Sequence, residues 1–495
     1  MPTRRNFLGS LSQVSAGLAI APLCLARDFA SKTRELVNDI HSKLNPTYVS
    51  RVVDVRGLAQ LREALRIAKS EGRAVSIAGG RHAMGGQQFG TDSVLIDTRS
   101  MSRVVNFDKT RGLIEAEAGI QWPELISYLL ETQKGQARQW GIIQKQTGAD
   151  RLSLGGALSA NVHGRGLTLK PIIGDVESFR LMDANREIKQ CSRTENSDLF
   201  SLVIGGYGLF GVIVSITLRL MPRRKVQRVV EIIKIDELIP VLDERIAEGH
   251  LYGDCQFSID PSNDGFLKKG VFSSYRPVDD SMPIPEAQRK LDAEDWRMLY
   301  LLAHNSTSRV FDAYSSYYLS TNGQIYWSDT HQLSTYIDDY HKAVDRDTSS
   351  DWPGSEMITE VYVPRLALAK FFEELAMDFR RHAVRVIYGT IRLIEKDDES
   401  FLPWAKDSYA CIVMNLHVSH NPQGITKATS DFRRIIDRAI EHGGSYFLTY
   451  HRWASRHQVD VCYPQMSRFL GRKREYDPEE VFQSDWYRHY RRMFS

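Results

Sequence analysis

One short segment constrains the fold of this chain more than any other. Residues Val75 to Gly86 read Val-Ser-Ile-Ala-Gly-Gly-Arg-His-Ala-Met-Gly-Gly, which predicts a short strand that runs into a glycine-rich loop carrying His82. Glycine lets a backbone pass close to a bulky anion and point its N–H groups at it, as phosphate-binding loops do. A histidine among such glycines is less expected, and it indicates chemistry at this loop as well as binding.

Two further glycine-rich stretches follow, at residues 147–166 and 205–211, and three in one domain favour a dinucleotide ligand. The Gly-x-Gly-x-x-Gly fingerprint of nicotinamide-binding folds is not satisfied, because Gly79-Gly80 lack the spacing. A strand at 94–97, rather than a helix, is predicted after the loop. No Gly-Lys-Ser/Thr phosphate loop is present either. The sequence therefore predicts a different dinucleotide-binding design.

Length and charge narrow the class of protein. A chain of 495 residues is too long for one ordinary core, so two domains are expected. The net charge of +3 is too small to imply a nucleic-acid partner or a general attraction to membrane surfaces. The five cysteines are widely spaced, with no Cys-x-x-Cys pair and no zinc pattern, so we expect no metal and buried free thiols, with a disulfide left open. They are Cys24, Cys191, Cys255, Cys411 and Cys462.

Residues 1–26 are typical of a targeting signal rather than of a folded domain. Thr3-Arg4-Arg5-Asn6-Phe7-Leu8 precedes a mildly apolar run from Leu11 to Leu25. A charged start, a short apolar stretch and a small residue at its end indicate a secretory signal, and the paired arginines indicate the twin-arginine type. An ordinary basic N-terminus is the alternative. We expect a periplasmic or secreted protein without a transmembrane segment in its mature chain.

The pattern along the chain predicts an α+β protein. Leu58, Leu61, Leu65 and Ala68 recur at helical spacing before a stop at Gly72. Further helices are predicted at 120–131 and 366–381, and strands at 75–78, 94–97, 112–119, 175–182, 212–220 and 383–393. After residue 222 the glycine clusters disappear and aromatic residues become dense. We expect a first domain at 45–225, a substrate domain at 226–440, and a segment at 441–495 that returns to the first domain.

Together these blocks resemble the vanillyl-alcohol-oxidase-type, or PCMH-type, FAD-binding fold. The resemblance rests on residues 77–86, 147–166 and 205–213. The tail from Tyr476 to Trp486 is similar to the terminal signature of the aldonolactone- and alditol-oxidase branch, and residues 153–164 are similar to the decaprenylphosphoryl-ribose oxidase branch. The resemblance covers nearly all of the mature chain, and it implies a two-domain FAD-binding fold with an α+β substrate, or cap, domain.

The same resemblance implies how FAD is held. The first loop would hold the pyrophosphate, the second stretch would line the ribityl and flavin portions, and the backbone of Ile213 would meet the adenine. His82 stands where many members attach the flavin covalently; a non-covalent histidine beside the phosphate is the alternative. His163 would contact the flavin or its phosphates, or serve the packing of its glycine-rich segment. The full set is Ala78, Gly79, Gly80, Arg81, His82, Ala83, Gly85, Gly86, Gly148, Ser153, Gly155, Gly156, Asn161, His163 and Ile213.

Alcohol oxidation needs an acceptor for the hydroxyl proton and positive charge near the oxygen. Thr390-Ile391-Arg392 stands where the alditol-oxidase branch carries Glu-x-Arg, so Arg392 would polarise the substrate oxygen while Thr390 replaces the acid. A surface salt bridge with Glu395 or Asp397 is the alternative for Arg392. Glu360 matches another carboxylate of the family, and would hold the substrate or order the sheet.

Two neighbouring residues of the tail are candidates for the base. Tyr450 occupies the position where relatives place a lysine beside the flavin. Either this tyrosine or His451 would act as the base, since histidine titrates near neutrality. Aromatic packing and a hydrogen-bonded histidine are the alternatives.

The sequence therefore predicts an FAD-dependent oxidase or dehydrogenase that oxidises a CH–OH group of a polyol, sugar or related alcohol. Its electrons would pass to oxygen, a quinone or another carrier. A subunit of an oxidative epimerase acting on a lipid-linked sugar is one alternative. A flavin-carrying protein that has lost its catalytic residues is another, which Thr390 and Tyr450 keep open.

Overall fold

A computed structural model describes residues 34–334, 337 and 339–495. The predicted signal at 1–26, with Cys24, lies outside the described residues. The strands are β1 (Glu35–Val37), β2 (Thr47–Val49), β3 (Arg51–Asp54), β4 (Val75–Ala78), β5 (Val94–Asp97), β6 (Val104–Asp108), β7 (Leu113–Glu117), β8 (Trp140–Gly141), β9 (Val176–Met182), β10 (Ile188–Ser192), β11 (Val212–Arg219), β12 (Met221–Pro222), β13 (Lys225–Lys234), β14 (Tyr252–Phe257), β15 (Lys269–Val278), β16 (Ile325–Trp327), β17 (Gly354–Pro364), β18 (Val386–Ile394), β19 (Tyr409–Ser419) and β20 (Ser445–Tyr446).

The helices alternate with these strands. They are α1 (Leu58–Ser70), α2 (Trp122–Thr132), α3 (Leu154–Ala160), α4 (Ser197–Val203), α5 (Leu238–Ala247), α6 (Ala293–Asn305), α7 (Thr307–Ser320), α8 (Tyr340–Asp347), α9 (Leu368–Arg381), α10 (Pro422–Glu441), α11 (Arg456–Cys462), α12 (Met466–Tyr476) and α13 (Asp485–Phe494). The mixed composition confirms the predicted α+β class, and the predicted helices and strands are present within a few residues of their expected bounds.

The first domain combines two sheets. Strands β3, β5 and β4 form a parallel three-stranded sheet in that order, and β10-β9-β11-β7-β6 form an antiparallel five-stranded sheet. All four residues of β5 are buried, which is typical of a central parallel strand covered on both faces. The loop after β4 lies at the edge where the parallel strands end, so it is positioned by a buried scaffold.

The second glycine-rich stretch contains a helix that the sequence did not predict. Helix α3 starts after Ser153, whose hydroxyl accepts a hydrogen bond from the Gly156 amide and so caps the helix. A Cβ on Gly155 would lie 2.9 Å from the Ala118 side chain, so glycine lets α3 pack directly against the segment that contains Ala118. Glycine usually disfavours helices, and here close packing outweighs that preference.

The cap domain is built on one eight-stranded sheet in the order β16-β13-β15-β14-β18-β19-β17-β20. Helices α9 and α10 each bury an apolar stripe, and both pack against β17. Helices α6 and α7 are consecutive and contact each other, and α7 contacts β13 and β15 while α6 contacts β18. The sheet begins at Lys225, directly after the short strand β12 that pairs with β8 of the first domain.

The C-terminal segment contacts both domains. Strand β20 pairs with β17 of the cap sheet. Further on, the Val75 amide donates to the Val481 carbonyl at 2.7 Å, and Phe482 is buried in the core around the three-stranded sheet. Trp486 of α13 then packs on Tyr207, with ring centroids 4.7 Å apart.

Two further observations concern the class of protein. Within the described ranges, no helix has both the length and the apolar character that a bilayer span requires. Cys191, Cys255, Cys411 and Cys462 are buried free thiols, as predicted for these four positions.

Candidate active site

A cavity of about 520 Å³ lies between the glycine-rich loops of the first domain and the cap. The cofactor residues predicted from the sequence that line it are Gly79, Gly80, Arg81, His82, Ala83, Gly148, Gly155, Gly156 and Ile213. Arg392 and Tyr450 line it as well. The cap contributes many aromatic and aliphatic side chains, among them Trp296, Leu299 and Tyr300 of α6 and Phe311, Tyr314 and Tyr318 of α7. The structure thus brings all three glycine-rich stretches to one cavity.

The first glycine loop is held closely by its own neighbours. A Cβ on Gly79 would lie 1.9 Å from the Ser153 hydroxyl, and one on Gly80 would lie 2.3 Å from the Arg151 carbonyl oxygen. A side chain at either position would collide with these atoms. These two glycines therefore join the first loop to the second stretch and bring both to one wall of the cavity.

Polar atoms along this wall fit a polar ligand of dinucleotide type. Oε1 of Gln87, Gln88 and Gln146 and Oγ1 of Thr147 are buried without a hydrogen-bond partner among the described residues, and all four residues line the cavity. Buried polar atoms are rarely left unpaired, so such a group marks a ligand position. Gly148 has φ +75° and nothing within 4 Å of its missing Cβ, which leaves its backbone open to a ligand.

His82 lies in the cavity wall beside a second histidine. Its Nδ1 is 2.8 Å from Nε2 of His41, and the two rings are tilted with centroids 4.8 Å apart. Burial, followed by the charge of His41, lowers the pKa of His82 well below its usual value. Burial also lowers the pKa of His41, to about 4. Both imidazoles are therefore neutral at pH 7, and a neutral imidazole keeps one nitrogen lone pair for bonding.

Arg392 is a buried arginine of the cavity wall. It is 6% exposed, and its Nε and Nη1 have no hydrogen-bond partner among the described residues. The alternative of a surface salt bridge is wrong, because Glu395 pairs with Arg365 at 2.5 Å and Asp397 accepts hydrogen bonds from Asn161 and from Ser400. Leaving two guanidinium nitrogens unpaired in a buried wall is costly, and it fits a site that receives a ligand oxygen.

Glu360 is the centre of a buried hydrogen-bond network. Its Oε1 is 2.7 Å from Nε2 of His163 and accepts the Tyr362 hydroxyl at 2.5 Å, while Oε2 accepts the Tyr450 hydroxyl at 2.9 Å. Burial alone would raise the pKa of Glu360, but His163 and the Tyr362 hydrogen bond lower it to about 2. Glu360 does not line the cavity and reaches it through Tyr450.

The two candidate bases have different environments. Burial, followed by the charge of Glu360, raises the pKa of Tyr450 well above its usual value, so this phenol stays protonated at neutral pH. His451 does not line the cavity and stacks on Trp453 with ring centroids 4.3 Å apart. Burial lowers the pKa of His451 to about 4. Of the two, Tyr450 alone has access to a cavity ligand.

Six predicted cofactor residues lie behind the wall rather than in it: Ala78, Gly85, Gly86, Ser153, Asn161 and His163. Ser153 caps α3, and Asn161 donates a hydrogen bond to Asp397 at 2.8 Å. His163 is completely buried between Glu360 and the Gly164 carbonyl. A Cβ on Gly85 would lie 2.4 Å from the Tyr450 carbonyl, so this glycine lets the loop approach the C-terminal segment.

Sequence reasoning missed a polar patch at the cap wall. Asp254 and Gln256 of β14 line the cavity, and Gln256 donates to Asp254 at 2.8 Å. Gln256 pairs with Thr390 across β14 and β18, and the Thr390 hydroxyl is 3.5 Å from Asp254. Asp254 thus places a carboxylate beside Thr390. The available signal was the pair of polar residues two positions apart in the strand Tyr-Gly-Asp-Cys-Gln-Phe, which places both on one face of the sheet.

Arg165 and His41 were missed as well. Arg165 lies inside the second glycine-rich stretch and lines the cavity, with Nη1 3.4 Å from Asp254 and Nη2 donating to the His331 carbonyl at 2.7 Å. An arginine between two glycines was a usable signal. His41 lies in an irregular segment before the first domain's main sheet, and nothing in its local sequence indicates that it meets His82.

The cavity lies between a glycine-loop domain and a cap, and the unpaired polar groups in both of its walls fit a bound cofactor. Residues 49–192 match the family described as an FAD binding domain, so FAD is the cofactor. As the sequence predicts, the first half of the chain carries a PCMH-type FAD-binding domain.

Three relatives illustrate the similarity. An uncharacterized oxidoreductase, ORF5 in the fasciation locus of Rhodococcoides fascians, is 30% identical over 37% of this chain and 39% of its own length. The L-gulono-1,4-lactone dehydrogenase of Mycobacterium tuberculosis is 24% identical over 89% of this chain and 95% of its own. The decaprenylphosphoryl-beta-D-ribose oxidase of Mycolicibacterium smegmatis is 20% identical over 92% of this chain and 97% of its own. The match to the first of these relatives spans about two fifths of that protein's length.

Proposed function

We propose that this protein oxidises a CH–OH group of a polyol, sugar or related alcohol. The observation that carries the proposal is the buried Arg392 guanidinium, which faces the cavity with Nε and Nη1 unpaired among the described residues. A substrate oxygen that gains negative charge during oxidation would be stabilised by such preorganised donors. The names of the mycobacterial lactone dehydrogenase and ribose oxidase support this substrate class.

The residues of the cavity wall divide the work of alcohol oxidation. Bound FAD supplies a hydride acceptor. Arg392 donates to the substrate oxygen and fixes its position, while Tyr450 accepts the hydroxyl proton at its Oη. Its own proton moves to Oε2 of Glu360, 2.9 Å away, so no free phenolate is needed. Asp254 accepts a hydrogen bond from a second substrate hydroxyl and replaces the acid that Thr390 lacks.

Flavin reduction under anaerobic conditions tests this function. Polyols, sugars and lactones should bleach the flavin of the wild type, and Arg392→Ala should lower the reduction rate by about 10²–10³-fold without changing the oxidised flavin spectrum. Arg365→Ala, an arginine of the cap that pairs with Glu395, is the matched control and should leave the rate unchanged. Oxygen uptake compared with reduction of a quinone or a dye then identifies the acceptor.

Two outcomes of that assay favour other functions. Bleaching by a lipid-linked sugar alone would favour the oxidative-epimerase role, which the near-complete alignment with the ribose oxidase supports. If no alcohol bleaches the flavin and dithionite does, the protein carries flavin without oxidising alcohols.

We propose that His82 bonds covalently to FAD. Its position in the cavity wall and its neutral state beside His41 support the bond, because a neutral imidazole nitrogen can act as the nucleophile. Acid precipitation of the wild type should leave the yellow colour in the pellet, and His82→Ala should release it. His382→Ala, at an exposed histidine of the cap, is the control. Complete release of flavin from the wild type would refute the bond.

We also propose that the protein is exported by the twin-arginine route to the periplasm or beyond. The support is the motif at Arg4-Arg5 and the short apolar run after it. Lys-Lys in place of the two arginines should hold the full-length protein in the cytoplasm, as judged by fractionation, whereas the single substitution Arg27→Lys should not. Export of the Lys-Lys variant would refute the route.

A further inference from the structure

We propose that His304, Glu356 and His417 form a zinc site in the cap domain. The three side chains come from three elements, helix α6 and strands β17 and β19. Glu356 and His417 are direct partners across the two strands, and His304 lies near the end of the helix above them. Their ligand atoms all lie within 4.8 Å of one another.

The distances between these atoms suit a zinc ion. Nε2 of His304 is 2.9 Å from Oε1 of Glu356, and Nδ1 of His417 is 3.7 Å from the same oxygen. Ligands on a tetrahedral zinc ion, with bonds of about 2.0–2.2 Å, are separated by about 3.3 Å. The two printed distances, 2.9 Å and 3.7 Å, lie on either side of this value, so the three side chains already converge on the place of an ion.

One ligand atom is unused by the protein itself. Nδ1 of His417 is buried and makes no hydrogen bond within the described part of the chain, and 3.7 Å is too long for one to Glu356. A Cβ on Gly354 would lie 2.6 Å from Cε1 of His417, so a glycine makes room for this ring. The lone pair of this nitrogen can therefore bind a metal ion that lies between it and the Glu356 carboxylate.

The charge of the group also favours a cation. Glu356 is 3% exposed, and its Oε1 lies 2.9 Å from Nε2 of His304 and 3.7 Å from Nδ1 of His417. A buried carboxylate of this kind needs a positive partner. The Tyr340 hydroxyl donates to its other oxygen, Oε2, which orients Oε1 towards the two histidines. Two imidazoles and one carboxylate are ligands that zinc accepts, with a fourth position open.

The other convergent group in the described residues, His163, Glu360 and Cys411, suits a metal less well. Oε1 of Glu360 already takes His163 at 2.7 Å and Tyr362 at 2.5 Å. Burial raises the pKa of the Cys411 thiol well above its usual value, so it is not the thiolate that metals bind. The ligand atoms of this second group are therefore less available to a metal ion than those of His304, Glu356 and His417.

Zinc at this site would fasten one wall of the cavity to the cap sheet. Helix α6 contributes Trp296, Leu299, Tyr300 and Ala303 to the wall, and His304 is the next residue along the helix. Tyr300 stacks on Tyr340 with ring centroids 4.3 Å apart, and Tyr340 also lines the cavity. The ion would act as a structural clamp on this wall.

Metal content and calorimetry of the full-length, FAD-loaded protein test the site. The purified wild type should contain about one zinc per chain, and after chelation it should bind Zn²⁺ with one-to-one stoichiometry. His417→Ala should weaken binding by about 100-fold or more, because a ligand itself is lost. His457→Ala, at an exposed histidine of α11, is the matched control and should bind as the wild type does.

A gain-of-signal variant covers the case in which His417→Ala does not fold. His417→Cys should keep the metal, and its Co²⁺ form should show a thiolate-to-cobalt charge-transfer band that the Co²⁺ wild type lacks. Absence of that band in the folded, flavin-loaded variant would overturn the proposal. So would a wild type that binds no Zn²⁺, or His417→Ala and wild type that bind it equally.

Discussion

At the scale of single residues, the hydrogen-bond partners of Tyr450 support its proposed role in taking the substrate proton. Its hydroxyl donates to Glu360, and Glu360 is held by His163 and Tyr362. This arrangement leaves the lone pairs of the Tyr450 oxygen for a ligand in the cavity. His451, one residue further on, faces the packing around Trp453 instead.

Replacing Tyr450 should therefore affect flavin reduction, and replacing His451 should not. We expect Tyr450→Phe to slow reduction by about 10²–10⁴-fold, the range of a lost acid–base group. His451→Gln keeps a buried polar side chain and should reduce flavin within about twofold of the wild-type rate. Stopped-flow reduction of both variants measures the difference; equal rates in Tyr450→Phe and wild type would remove Tyr450 from proton transfer.

A second prediction at this scale concerns the dependence of stability on pH. Burial raises the pKa of Asp175 from 3.8 to about 8, so the folded protein keeps a proton that the unfolded chain loses. The stability from this group is complete below pH 3.8 and is lost as the pH rises towards 8, by at most about 1.4 kcal/mol per pH unit.

The variant Asp175→Asn cannot titrate at this position, so it tests the contribution of Asp175 to the pH dependence of stability. The difference in unfolding free energy between Asp175→Asn and wild type should grow in favour of the variant from pH 5 to pH 8. Asp312→Asn, at an exposed position of α7, should show no such trend. A constant difference across this range would show that Asp175 is ionised in the folded protein.

At the scale of secondary-structure elements, helix α13 joins the C-terminus to the first domain. The Ser484 hydroxyl accepts the Tyr487 amide at 3.2 Å and caps the helix, and Asp485 accepts the Thr91 hydroxyl at 2.8 Å. Trp486 of this helix packs on Tyr207, which lines the cavity. The N-terminal capping hydrogen bond of α13 thus supports a wall of the cavity.

Ser484→Ala should lower the free energy of unfolding by about 1 kcal/mol, because one amide at the helix start loses its partner. Ser484→Asp keeps a capping oxygen and should retain most of the wild-type stability. Thermal unfolding of the flavin-loaded proteins measures both. Equal losses in the two variants would show that packing, and not the cap, matters at this position.

At the scale of the whole molecule, a buried ion pair connects the two domains. Arg223, at the domain boundary, pairs with Asp329 at 2.8 Å, and their side chains are 8% and 1% exposed. Asp329 also packs against Gly141 of β8 in the first domain. The pair therefore lies where the cap joins the FAD-binding domain.

Removing one member of this ion pair should lower the free energy of unfolding more than replacing both members with apolar residues. Asp329→Ala leaves the Arg223 charge buried and should lower stability by about 3–5 kcal/mol. The double variant Arg223→Met, Asp329→Leu removes both charges and should lose much less. Denaturant unfolding of the three proteins tests this expectation, and additive losses in the double variant would contradict it.

The fold was predictable where short segments carry their own pattern. Helix α1 follows from four apolar residues at helical spacing and a stop at Gly72, which adopts φ +63°. Helix α3 was not predictable, since its Gly155-Gly156 pair opposes a helix. The Ser153 cap and the close packing of Gly155 on Ala118 stabilise it. Local pattern fails where a long-range contact, rather than intrinsic preference, sets the conformation.

By itself, the sequence determined the α+β class, the FAD-binding domain and the three glycine-rich stretches that meet at the cavity. These depend on backbone freedom and on apolar spacing, which are written into neighbouring residues. Only the tertiary structure decided which side chains reach the cavity. It brought His41 to His82 and Asp254 beside Thr390, and it turned His163 away to Glu360. The two residues of each pair lie 41, 136 and 197 positions apart in the sequence, respectively. Such contacts follow from strand pairing and domain packing, which no local spacing encodes.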